Sequence, residues 1–147
     1  MDLESKGKER SPRPLVIYAH SDSFDRLYQV ASIALTAAVS GRPVVIVLFF
    51  WALRAVVKGK MDEPVFSAAS AEAAEVASRK ISTSNSPPPS QMFSMARETG
   101  RVRLFACSAS MQYMGLTLEE TKAAVDEVVG LSTILRLAAD SPDSLYI

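Results

Sequence analysis

The run VVIVLFFWAL at residues 44–53 constrains this chain most. Ten apolar residues stand in a row between Pro43 and Arg54. A membrane-spanning helix needs roughly 20 such residues, so the run is too short to cross a bilayer. It fits a strand covered on both faces, at the centre of a parallel sheet. The strand is expected over 44–50, with a short helical turn over 51–57. A monotopic membrane contact is the competing reading.

The flanking segments supply the rest of such a sheet. LVIYA at 15–19 follows two prolines and reads as a second buried strand. Residues 20–23 form a polar loop, in which Asp22 or Ser23 can cap a helix over 24–40. Leu27, Val30, Ala31, Ala34, Leu35 and Ala38 recur there at helical spacing, and Gly41 stops it. Strand, helix and strand make a βαβ unit. Residues 62–100 are a long connection. An alanine- and glutamate-rich helix is expected over 67–78, a flexible Ser/Pro loop over 82–90, and a helix over 91–99 capped by Ser90. Met92, Phe93 and Met95 of that helix should face inward.

Next comes RVRLFACSASMQYMGL, residues 101–116, which holds the only cysteine in 147 residues. Residues 102–106 read as a strand ending at Cys107, followed by small polar residues, a short helix and a stop at Gly115. One thiol is thereby placed at the carboxyl end of a strand, where open α/β sheets keep their sites. A helix amino terminus favours thiolate over thiol, and a thiolate is both a nucleophile and a carrier of persulfide sulfur. The competing role for Cys107 is a packed, inert residue. Beyond it, Thr117 and Glu120 fit a capping box for a helix ending at 124. A short strand is expected over 125–129. A helix follows over 130–139, with Leu131, Ile134, Leu135 and Ala138 on one side, then a last edge strand over 145–147.

The alternation predicts a three-layer α/β/α sandwich with a mainly parallel sheet of about five strands and four or five helices. Residues 1–14, polar and proline-punctuated, are expected to be a flexible tail, and 15–147 a single domain. Sixteen basic and sixteen acidic residues cancel, which argues against a nucleic-acid partner. The single cysteine excludes an intramolecular disulfide framework and fits a reducing compartment. One histidine and one cysteine are too few for a zinc site, and no Gly-rich phosphate motif is present, so no metal or cofactor is expected.

Three stretches resemble the DsrE/DsrF-like family, which includes TusD-type sulfur-relay proteins. They are ACSASMQYMGL at 106–116, the segment from LVIYAHSDSF through VVIVLFFWAL, and the tail VVGLSTILRLAADSPDSLYI. The resemblance runs from Pro14 onward and is poorest over 62–90. It implies a small cytoplasmic α/β/α protein that forms homo- or hetero-oligomers. It also implies that Cys107 is the sulfur carrier, working with sulfur donor and acceptor proteins. An apolar content of 48% and the cluster Phe49, Phe50, Trp51 independently suggest a symmetric homo-oligomer.

Around Cys107, His20 is a candidate proton acceptor if its strand neighbours the cysteine strand; otherwise it is an exposed loop histidine. Ser108 and Ser110 are candidate donors to a sulfur anion, or helix caps. Met111 and Met114 are candidate walls of an apolar pocket, or core residues. Arg54 is a candidate anion partner at the same edge, or a solvated helix residue. The alternative to sulfur relay is a non-catalytic small-ligand or protein-binding and assembly module with a structural cysteine. Peroxidase-like or redox-sensing chemistry ranks last, because no second cysteine can resolve a sulfenic acid.

Overall fold

The computed structural model describes residues 12–68, 70–141 and 143–147. The tail expected over 1–14 falls mostly on residues 1–11, outside the described residues. The strands in chain order are β1 (Leu15–Ala19), β2 (Val44–Leu48), β3 (Val102–Cys107), β4 (Glu127–Val129) and β5 (Ser144–Tyr146). They form one all-parallel sheet in the order β4-β3-β2-β1-β5. The first five residues of the apolar run at 44–53 form its central strand.

Seven helices connect these strands among the described residues: α1 (Phe24–Val39), α2 (Phe50–Val57), α3 (Ala71–Ser82), α4 (Pro89–Glu98), α5 (Ser108–Tyr113), α6 (Leu118–Ala124) and α7 (Leu131–Ala139). Alternating strand residues divide the core in two, because successive side chains point to opposite faces. Leu15, Ile17, Val44, Ile46, Val102 and Leu104 pack with α1, α2 and α4 in the larger core. Ala31, Ala34 and Ala38 of α1 are fully buried there, and their small side chains let the helix approach the sheet. Val16, Tyr18, Val47 and Cys107 face the other way, against Ile134 of α7. No helix among the described residues is long and apolar enough to cross a membrane.

Several boundaries differ from expectation, each for a local reason. β2 ends at Leu48 rather than at residue 50. Phe49 is the N-cap of α2, and Phe50 begins that helix with φ at +38°. Positive φ is strained for a bulky residue. The Phe50 ring stacks on Tyr113, with centroids 6.2 Å apart. The helix expected over 67–78 starts only at Ala71, where Ser70 accepts a hydrogen bond from the Ala73 N–H at 3.1 Å. Ala69, within the expected range, lies outside the described residues.

The helix expected from residue 91 begins at Pro89, with Pro88 as its N-cap. Proline suits a first helical turn, which needs no N–H there. Ser90 is therefore inside the helix, and its N–H and hydroxyl both donate to Asp62. Met95 points to solvent, while Met92, Phe93 and Ala96 are buried. On α7 only Ile134 is buried; Leu131 and Leu135, expected on the same side as Ile134, face outward. A single helix on a sheet buries a narrow stripe, and these two leucines lie beside it. The Thr117–Glu120 capping box is formed as expected.

The segment before α3 is tied to α1 through Asp25, which accepts hydrogen bonds from the Ser67 N–H at 2.9 Å and from the Ser67 hydroxyl. Burial pushes the Asp25 carboxyl up, but the Ser67 hydrogen bonds, with help from its own backbone and Ser23, outweigh it and hold the group below its ordinary value. Stability from this contact is therefore present above the ordinary aspartate range and is lost as pH falls through the lowered folded value. NMR titration of the Asp25 carboxyl carbon should give a midpoint below that of free aspartate. Ser67→Ala should move it back up; an unmoved midpoint means the tie is not formed.

Candidate functional site

Strand register brings the candidate residues to one edge. Ala19 pairs with Leu48, Leu48 with Ala106, and Cys107 with Val129. Extending the register by one residue places His20, Phe49, Cys107 and Val129 in a row across the carboxyl ends of four parallel strands. Cys107 is the last residue of β3 and the N-cap of α5, with φ −69° and ψ 122°. Strand and helix meet at the thiol with no intervening loop, because the small polar residues expected between them form the first turn of α5.

The surroundings of that thiol are apolar. Cys107 is 3% exposed and clusters with Val16, Tyr18, Val47 and Ile134, with Phe49, Val129 and Ala138 at the margin. Its side chain makes no capping hydrogen bond. It lies on the face that α7 covers.

His20 is exposed and does not adjoin the cysteine strand. β2 lies between β1 and β3, so the two positions are about two strand spacings apart, roughly 10 Å. Phe49 occupies the place between them in the row. Its ring stacks on the His20 imidazole with centroids 4.6 Å apart and planes 5° from parallel. The imidazole therefore meets an aromatic face, not the thiol. Phe49 also makes a tilted contact with Tyr18, which stacks on Tyr146 at 4.5 Å. Burial, reinforced by the Tyr146 phenol, raises the Tyr18 hydroxyl pKa.

Met111 and Met114 are half-buried against the larger core, across the sheet from Cys107. Ser108 is half-buried and Arg54 is exposed on α2. Ser110 is completely buried, and its Oγ has no hydrogen-bond partner among the described residues. An aromatic row formed by His20, Phe49, Tyr18 and Tyr146 was not foreseen. Its signal was present in the aromatic side chains at strand ends, but only the register links them.

An orphaned buried hydroxyl costs about 1–3 kcal/mol relative to a satisfied one. Ser110→Ala removes that penalty and improves helix propensity. It should leave stability unchanged or raise it by up to about 1 kcal/mol in urea unfolding. A loss of more than about 1 kcal/mol would mean that the hydroxyl has a partner in solution.

The fold and edge just described define a class: small α/β proteins whose parallel sheet delivers one thiol to the start of a helix. The family model described as DsrE/DsrF-like matches residues 16–145, and the chain belongs to that family. Among solved structures it is similar to a protein of unknown function, MTH1491, from Methanobacterium thermoautotrophicum, at a TM-score of 0.54 and 15% identity. The match covers 91% of this chain and 98% of that one, and carries the fold alone. No curated protein matches the sequence.

Proposed function

We propose that this protein is a sulfur-relay-type carrier in which Cys107 accepts sulfane sulfur and passes it on. Membership of the DsrE/DsrF-like family supports the relay class. The observation that carries the assignment to this residue is the position of the lone thiol, at the junction of β3 and α5. In the loading step the Cys107 thiolate attacks the outer sulfur of a donor persulfide. A new S–S bond forms at Cys107, the donor's S–S bond breaks, and the donor leaves as a thiolate. No electrons are gained or lost overall. Passing the sulfur to an acceptor thiolate repeats the exchange in reverse. The donor and acceptor proteins supply the partner thiols, and the protein works in the cytoplasm.

Burial sets a condition on this chemistry. A thiol closed in by Val47, Ile134 and Tyr18 must become accessible before it can attack. The same burial favours a second reading, a non-catalytic binding and assembly module in which Cys107 is a packed residue. One experiment separates them. Treatment of the native protein with a polysulfide, followed by intact-mass measurement, should add one sulfur atom in the wild type and none in Cys107→Ala. No addition before denaturation, together with alkylation only after unfolding, rejects the carrier and leaves the module.

Oligomerisation supports either reading. Among the described residues α7 is the helix that packs on the second face of the sheet, and Leu131, Leu135 and Tyr146 are 57%, 67% and 74% exposed there. Association of copies through this face would take that apolar surface from water. Sedimentation at micromolar concentration should give a symmetric homo-oligomer, and Leu135→Glu should shift it toward monomer. A wild type that stays monomeric counts against this assembly.

A further inference from the structure

A cavity of about 680 Å³ lies under α3, and Cys107 is not among its lining residues. Phe24 and Tyr28 of α1, Phe66 before α3, and Ala77 and Ile81 of α3 form its walls. Its size falls within the roughly 300–1,000 Å³ of small-molecule sites. The ring of Phe24 lies 6.1 Å from Tyr28 and 5.6 Å from Phe66, centroid to centroid.

The roof over this space is unusual. α3 buries none of its twelve residues. Its Glu72, Glu75 and Arg79 are exposed, while Ala77 and Ile81 line the hollow. Helices in proteins gain most of their stability by packing an apolar stripe, and here the stripe borders empty volume. Polar ties hold the flanks instead: Ser67 to Asp25 on one side and Ser90 to Asp62 on the other.

The charges in the lining have different roles. Asp25 and Asp62 each already accept an N–H and a hydroxyl from a serine, so both serve the ties. Lys80 also lines the cavity and makes no ion pair among the described residues. We propose that this cavity binds a small molecule with a flat apolar body and one acidic group. The body lies against Phe24, Tyr28 and Phe66, and the acid meets the Lys80 ammonium. The proposal is independent of any role for Cys107.

Anilinonaphthalene sulfonate is a suitable probe for the full chain, read by fluorescence and calorimetry. One saturable site per chain is expected. Ile81→Trp, which fills the hollow, should abolish it; Ala77→Phe fills the same space from the next turn and serves if Ile81→Trp lowers stability. Lys80→Ala should weaken the sulfonate roughly two- to fivefold, as expected for a partly exposed charge pair, and leave uncharged phenylnaphthylamine unaffected. Absence of saturable binding, or binding that survives both filling variants, overturns the site. An unchanged affinity in Lys80→Ala, or tighter binding of cationic naphthylmethylamine than of the sulfonate, overturns the acidic ligand.

Discussion

The hydrogen-bonded pairing of β2 with a parallel neighbour on each side is the interaction on which the rest depends. β1 and β3 both take their register from it. Because β2 is apolar on both faces, water must be kept from both, and the chain has to supply helices above and below. The small-residue face of α1, the burial of α2 and α4, and the placement of α7 all answer that demand. The same pairing carries His20, Phe49 and Cys107 to one edge.

The repetitive parts of this design were legible in the sequence. β1, β2 and β3 are apolar runs, α1 has a clear helical period, and Thr117 with Glu120 marks the start of α6. Residues whose role is set by tertiary contact were not legible. Ser90 has the chemistry of a cap, yet it lies in the first turn of α4 because Asp62 captures it from a distant loop. The triple proline at 87–89 fell within the expected flexible loop, although Pro89 is buried and opens a helix. Leu131 and Leu135 satisfy a helical period without touching the sheet, since periodicity gives the spacing of a stripe and not which stripe is covered.

The site shows the same division. The placement of Cys107 at a strand-to-helix junction followed from local pattern alone. Its neighbours depended on strand order, which no local pattern encodes. Had β1 adjoined β3, the only histidine would stand beside the thiol; with β2 between them, it lies on a phenylalanine ring instead. The methionines after the cysteine belong to the opposite core because a helix that leaves the sheet edge turns its inner side toward the larger helical layer.

The unequal covering of the two faces has a consequence for local stability. α7 is nine residues long and anchors itself through one buried side chain, Ile134, in the cluster that holds Cys107. Segments with so few buried contacts detach at a free energy well below that of global unfolding. Detachment of that one short helix would open the sulfur to solvent while leaving the five strands paired. Access to the thiol would then follow a local equilibrium, which any molecule bearing down on or lifting off that helix would retune.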